Sequence, residues 1–183
     1  SAGVGMAIAQ KLRQSSRRVF VLLGDGELAE GSVWEAMNVA AKHALNNLVA
    51  IIDENRLGQS GETMHGWNSE TYRRKIESFG WTPLVIDGHS IPAILHALAT
   101  ARTTQKPIMI VAQTRKGNGI SFLEDKEGWH GKALSPDELS RALTELRFSS
   151  TKWKPTNARK SHTQEQFRIA SLPTSSYNKQ EKI

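Results

Sequence analysis

An acidic residue between two glycines is the first feature of the chain that suggests a chemistry. Asp25 lies between Gly24 and Gly26, after an apolar run and before an amphipathic stretch. Glycines let the backbone turn sharply and approach a phosphate, and a following helix start offers free N–H donors. A carboxylate would repel that phosphate unless a divalent cation lay between them. Asp25 has no evident structural partner in the sequence.

A second polar segment, residues 53–59, follows the next apolar run. If the two runs form adjacent parallel strands, Asn55 lies beside Asp25. Mg²⁺ takes about six oxygen ligands and usually keeps water while it binds substrate phosphates. The Asp25 carboxylate, the Asn55 amide oxygen and the Leu57 carbonyl, with two diphosphate oxygens and a water, would complete such a set. The two segments together predict a site for Mg²⁺ (or Ca²⁺) and a diphosphate.

Short β-branched runs alternate with amphipathic stretches through the first 147 residues, and this rhythm predicts the elements that carry the polar segments. The predicted strands are 19–23, 48–52, 84–86 and 108–112. The predicted helices are 32–43, 70–79, one capped by Ser90 and one opened by Ser135. We expect Ser32 and Glu35 to form a capping box, and the first strand to be buried on both faces.

This alternation predicts a doubly wound α/β fold, with a mostly parallel sheet and helices on both faces. In such sheets, ligands bind beyond the carboxyl ends of the strands, near a switch in strand order. Both polar segments follow the carboxyl end of a predicted strand. We therefore expect the site at that edge of the sheet.

Composition separates a domain from a tail. The formal net charge is +6, and residues 148–183 hold seven of the basic and only two of the acidic residues. These 36 residues have no apolar period, so we interpret them as a linker after a domain at 1–147. A basic tail on a near-neutral domain argues against nucleic-acid binding. No apolar run approaches membrane-spanning length, and the lack of cysteine fits a reducing cytosol.

The frame Gly-Asp-Gly, followed by Asn thirty residues after the Asp, matches the signature of thiamin-diphosphate enzymes. The segments LGDGELAEGSVWEA, DGHS, KGNGIS and EGWHGK specifically resemble transketolase. The resemblance covers residues 1 to about 147, and SYNKQEKI near the end resembles the linker before the family's pyrimidine-binding domain. The chain opens as if within a helix, so we expect a preceding segment to be missing.

The resemblance implies a role at the cofactor or at a dimer interface for nine positions. The implied metal ligands are Asp25, Asn55 and the Leu57 carbonyl. The implied cofactor contacts are Gly26, Asn55, Gln59, Lys116 and His130. The implied catalytic contributors are His130 and Lys116, beside the donor sugar, and Glu30 and Glu35, which would link the two active sites of a homodimer.

The resemblance also implies transfer of a two-carbon ketol unit between sugar phosphates, with thiamin diphosphate and Mg²⁺ (or Ca²⁺) as cofactors. The family's acid that activates the aminopyrimidine belongs to the pyrimidine-binding domain. We therefore expect this chain to need that domain or subunit as a partner and to be inactive alone. Alternatives stay open: a deoxyxylulose-phosphate synthase, a two-oxoacid dehydrogenase E1 component, or a non-catalytic paralogue that binds cofactor only.

Overall fold

A computed structural model describes residues 1–147, and the interpretation of 148–183 as a linker lies outside the described residues. The strands are β1 (Val19–Gly24), β2 (Leu48–Glu54), β3 (Thr82–Asp87) and β4 (Ile108–Gln113). The helices are α1 (Ala2–Leu12), α2 (Gly31–Lys42), α3 (Ser69–Ser78), α4 (Ile91–Thr100) and α5 (Pro136–Glu145), with a short 3₁₀ turn at Asp25–Ala29. Among these helices, none has the length and apolar character needed to cross a bilayer.

The four strands form one parallel sheet in the order β1-β2-β4-β3. The register places Gly24 opposite Asp53, and Glu54 opposite Gln113. The carboxyl ends of β1, β2 and β4 therefore meet at one edge of the sheet. β3 lies at the border of the sheet, where Pro83 and its missing N–H group are tolerated.

Helices cover both faces of this sheet, so the prediction of a doubly wound α/β fold is confirmed. On one face α1, α2 and α3 pack against β1, β2 and β4, around buried Met37 and Tyr72. On the other face α4 packs through Ala97 and Ala101 against β2 and β4. Burial from both sides explains why the central strands appear in the sequence as continuous apolar runs.

The strand β1 is not buried on both faces, and this expectation was wrong. Val21 and Leu23 pack against the core, whereas Phe20 is 56% and Leu22 is 72% exposed on the opposite face. The reason is position: within residues 1–147, β1 pairs with β2 alone, and α4 packs on β2, β3 and β4. An apolar run alone does not distinguish an edge strand from a central one.

The predicted capping box of α2 is also absent. The helix begins at Gly31 with Glu30 as its N-cap, and no side chain caps it, so Glu35 remains exposed. The 3₁₀ turn before α2 explains the difference, because Glu27 there accepts a hydrogen bond from the Gly24 N–H at 2.6 Å. The other two predicted caps are confirmed, at Ser90 of α4 and at Ser135 of α5.

We expect Met37→Ala to lower the free energy of unfolding by about 2–5 kcal/mol, because truncation of a buried methionine leaves a cavity. The matched control is Met6→Ala, which removes the same atoms from an exposed position of α1. That control should change the free energy by no more than about 0.5 kcal/mol. Denaturant unfolding of both variants measures the difference, and equal effects would contradict the core assignment.

Candidate functional site

Asp25 lies at the end of β1 and is only 4% exposed. Its Oδ1 accepts the Gly26 N–H at 2.9 Å, and its Oδ2 accepts the Arg56 N–H at 2.7 Å and the Thr63 hydroxyl at 3.0 Å. Burial raises the pKa of Asp25 above the usual 3.8, while these hydrogen bonds act in the opposite direction. The expectation that Asp25 lacks a structural partner was therefore wrong. Its carboxylate joins β1 to the loop that follows β2.

That loop, residues 55–68, is named the β2–α3 loop here, and it wraps around the Asp25 carboxylate. Arg56 has a φ of +61°, a left-handed conformation that a non-glycine residue rarely adopts. Its N–H binds Asp25 while its carbonyl accepts the Thr63 N–H at 2.7 Å. The Asn55 Oδ1 accepts the Leu57 N–H at 3.0 Å. The structure thus brings Asn55 and Leu57 beside Asp25, as the strand-end pattern predicts.

A second segment, which follows β4, brings two basic side chains to the same place. The Lys116 Nζ lies 3.3 Å from the His130 Nδ1. Gly117 has a φ of +71°, and a Cβ there would collide with a neighbouring leucine, so glycine is required for this turn. The Arg56 guanidinium donates to Asp125 at 2.8 Å, which ties this segment to the β2–α3 loop.

A cleft of about 880 Å³ opens between these segments at the carboxyl ends of the strands. Eight of the nine predicted positions line it: Asp25, Gly26, Glu30, Asn55, Leu57, Gln59, Lys116 and His130. Glu35 does not line it, because this residue lies exposed on α2. The structure therefore gathers the predicted set with one exception.

Asp53, Thr114 and Arg115 are among the further residues that line the cleft, and the sequence analysis assigned them no role. Asp53 accepts a hydrogen bond from the Thr114 hydroxyl and another, at 3.0 Å, from the Asn55 Nδ2. This second bond turns the Asn55 amide so that its oxygen remains on the Leu57 side. The strand register could have indicated that Asp53 belongs to the cleft, because Asp53 lies opposite Gly24, the residue before Asp25.

The charges of the cleft suit an anion that is bound through a cation. None of the ion pairs within residues 1–147 includes Asp25 or Asp53. A carboxylate has about four lone-pair sites, and the three donors leave one of them free on Asp25. Residues 1–147 hold no group of three or more His, Cys, Asp or Glu side chains arranged for a metal. Besides the Asp25 carboxylate, a cation in this cleft would therefore need amide and carbonyl oxygens of the protein and oxygens of a bound ligand.

A parallel α/β sheet with a polar cleft at its carboxyl ends defines a cofactor-binding α/β domain. The sequence model of one family, described as "Transketolase, thiamine diphosphate binding domain", matches residues 2–174. The chain therefore belongs to the transketolase family and comes from its thiamine-diphosphate-binding domain. This match favours transketolase over other thiamin-diphosphate enzymes that share the Gly-Asp-Gly…Asn frame.

Individual relatives agree with the family match. Human transketolase is 45% identical over 146 residues, which cover 79% of this chain and 23% of that protein. The crystal structure of Campylobacter jejuni transketolase superposes with a TM-score of 0.72 at 30% identity, over 80% of this chain and 24% of the other. Pichia stipitis transketolase in complex with sedoheptulose 7-phosphate gives a TM-score of 0.68 at 29% identity, over 80% and 23% of the two chains. The chain thus spans about a quarter of the length of these relatives.

Proposed function

We propose that this chain supplies the metal- and diphosphate-binding half of a transketolase active site. The whole enzyme would transfer a two-carbon ketol unit from a ketose phosphate to an aldose phosphate. One observation carries the proposal: the buried Asp25 carboxylate, bound to the Arg56 N–H, forms part of a cleft that also contains Asn55. The Pichia stipitis relative solved with sedoheptulose 7-phosphate supports sugar phosphates as the substrate class.

The donor set of the cleft fits Mg²⁺ (or Ca²⁺). The proposed ligands are the Asp25 carboxylate, the Asn55 amide oxygen and the Leu57 carbonyl, with diphosphate oxygens and water completing the set. Hard cations of this kind prefer such oxygen ligands, and Mg²⁺ is commonly held by one or two carboxylates together with phosphates. A cation here would also neutralise the unpaired charge of Asp25.

Lys116 and His130 are proposed to bind and orient the anionic ligands. When bound, thiamin diphosphate supplies the carbanion chemistry at its thiazolium ring. The Lys116 Nζ lies 3.3 Å from the His130 Nδ1, and a bond donated by the ammonium to this nitrogen would leave the imidazole N–H on Nε2. His130 thus offers an N–H donor to sugar oxygens, while Lys116 offsets diphosphate charge. Gly26 and Gln59 line the cleft beside them and complete the proposed cofactor contacts.

The acidic residues near α2 are proposed to act between two copies of the enzyme. Glu30 is exposed at the wall of the cleft, and Glu35 is exposed on α2 one turn further along. Exposed carboxylates at these positions are available to a second subunit and support a link between the sites of a homodimer.

The cysteine-free sequence fits a cytosolic enzyme.

We expect calorimetry to show binding of thiamin diphosphate by this chain in the presence of Mg²⁺ and its loss on addition of EDTA. The physical reason is that the Asp25 carboxylate would repel the diphosphate unless a divalent cation lay between them. Thiamine without its diphosphate is the matched control ligand, and it should not bind measurably with or without Mg²⁺. Equal affinities for the two ligands, or affinity that EDTA leaves unchanged, would contradict the proposal.

A further inference from the structure

A chain of side-chain hydrogen bonds joins the two ends of the β2–α3 loop. Glu54, the last residue of β2, is 0% exposed and accepts a hydrogen bond from the Ser69 hydroxyl through its Oε2. Ser69 is the first residue of α3, and its oxygen accepts a second bond from the Gln113 Nε2 at 2.7 Å. Gln113 is the last residue of β4 and lies opposite Glu54 in the sheet. We call Glu54, Ser69 and Gln113 the clasp.

The clasp closes the base of a loop that has little regular structure of its own. The loop contains one isolated bridge, between Leu57 and Glu62, and its 14 residues separate β2 from α3. Loops of about this length with no secondary structure are uncommon in compact domains and are usually functional. This loop carries three of the proposed metal and cofactor contacts, Asn55, Leu57 and Gln59.

A glutamate at this buried position is energetically unfavourable. Its Oε1 is buried without a hydrogen-bond partner, and no ion pair within residues 1–147 includes Glu54. An aliphatic side chain of similar size would fill the same space without the cost of burying a carboxyl group. A buried polar group that is only partly satisfied calls for an explanation other than stability.

Two separate ties restrain the loop, and the candidate ligands lie between them. Asp25 binds the loop at two points, near its start through the Arg56 N–H and past its middle through the Thr63 hydroxyl. The clasp binds it at its base, where residue 54 precedes Asn55 directly. Loss of the clasp would remove the tie between the end of β2 and α3. Before the loop, Asn55 would then be held only by its bond to Asp53 and by the pairing of β2 with β4, because the Asp25 contacts all lie after it in the chain.

We propose that the clasp is a positioning device, which holds Asn55 and Leu57 of the β2–α3 loop in the arrangement that binds the metal and the diphosphate. The choice of ligand rests on the proposed function, whereas the hydrogen-bond geometry does not. Glu54, Ser69 and Gln113 are positioning residues in this proposal, since none of them lines the cleft. Outer-shell partners of this kind typically change metal affinity by about 10–100-fold when they are removed.

The test compares Ser69→Ala with two matched variants. Ser69→Thr keeps the hydroxyl of the clasp, and Ser78→Ala removes a hydroxyl from the exposed far end of α3. We expect Ser69→Ala to raise the Kd for thiamin diphosphate, measured with saturating Mg²⁺, by about 10-fold. In the absence of ligand it should also speed amide hydrogen exchange at Arg56 and Thr63, while exchange in β1–β4 stays unchanged. Ser69→Thr and Ser78→Ala should behave like the wild type.

The outcomes separate positioning from general stability. Faster exchange that is uniform across the sheet, or unchanged exchange at Arg56 and Thr63 in Ser69→Ala, would overturn the proposal. If Ser69→Ala does not fold, Gln113→Leu removes the Nε2 donor from the accessible side of the clasp, and the same loop-specific pattern is expected. If the wild type itself fails to bind thiamin diphosphate, the proposed function is wrong, and the loop-specific exchange alone decides for or against the clasp.

Discussion

Replacement of Asp25 by asparagine is expected to weaken Mg²⁺-dependent binding of thiamin diphosphate by at least about 100-fold, since even outer-shell partners of a metal contribute 10–100-fold. Asparagine keeps an oxygen that can accept the Arg56 N–H, so the tie between β1 and the β2–α3 loop survives. What the variant loses is the negative charge that faces the cation. Calorimetry with and without EDTA measures the change.

As the pH rises above 3.8, the stability of the metal-free Asp25→Asn protein is expected to fall less than that of the wild type. Burial raises the pKa of Asp25 in the folded state, so the unfolded chain ionises first as the pH rises above 3.8. Over that range the folded wild type retains more protons and loses stability, whereas the variant lacks this contribution. Denaturant unfolding at acidic and neutral pH measures the difference. The control is Asp137→Asn, which removes an exposed charge from the first turn of α5. In the binding experiment, undiminished metal-dependent affinity of Asp25→Asn for thiamin diphosphate would refute the ligand assignment.

The isolated chain is expected to show no ketol transfer, even with saturating Mg²⁺ and thiamin diphosphate. A correctly placed acid–base group contributes about 10²–10⁴-fold, and the family resemblance assigns that group to the pyrimidine-binding domain. Three of the four carboxylates that line this cleft already accept hydrogen bonds, and the fourth, Glu30, is proposed to act between two copies of the enzyme. Asp25 binds the Arg56 N–H, and Glu27 accepts the Gly24 N–H. The chain corresponds to 23% of human transketolase, so most of the substrate pocket would also come from outside it.

The measurement is transfer from a ketose phosphate to an aldose phosphate, with hydrogen–deuterium exchange at the thiazolium carbon C2 as a second readout. Full-length human transketolase under the same conditions is the positive control. Addition of the remaining part of a transketolase as a separate polypeptide should restore turnover if the two parts associate. Turnover by this chain alone, or fast C2 exchange without a partner, would show that it is not half of a site. Cofactor binding without turnover in any mixture would favour a non-catalytic paralogue.

Local chemistry made much of the fold predictable. The continuous apolar run at 48–52 predicts a strand, and the structure places β2 there and extends it by two residues. The caps at Ser90 and Ser135 depend on side-chain and backbone atoms within three residues, so the sequence contains all the information they need. The strand-end rule likewise brought Asn55 to Asp25, because adjacent parallel strands end at the same edge.

Contacts between distant residues account for what the sequence did not predict. Because Asp53 and Glu54 are charged, the sequence predicted that β2 ends before them, which is too early. Their hydrogen-bond partners lie elsewhere in the chain. The Thr114 hydroxyl that binds Asp53 is 61 residues away, and the Ser69 hydroxyl that binds Glu54 is 15 residues away. Two of the three donors to Asp25, the Arg56 N–H and the Thr63 hydroxyl, belong to this class as well. The chemical roles of the cleft residues came from the family resemblance, and they stay predictions.

The edge position of β1 determines the solution conditions that suit this chain. Within residues 1–147, β1 pairs with β2 alone and has two exposed apolar side chains, Phe20 and Leu22, so its other edge is a template for aggregation between copies. The run Val-Phe-Val-Leu-Leu is uncharged and rich in strand formers, a composition typical of segments that stack into intermolecular sheets. Arg17 is exposed just before this run and acts as a gatekeeper charge that opposes such stacking, whereas the Arg18 guanidinium donates to backbone carbonyls. Salt screens the charge of Arg17, so solutions of the chain will keep best at low ionic strength and low protein concentration.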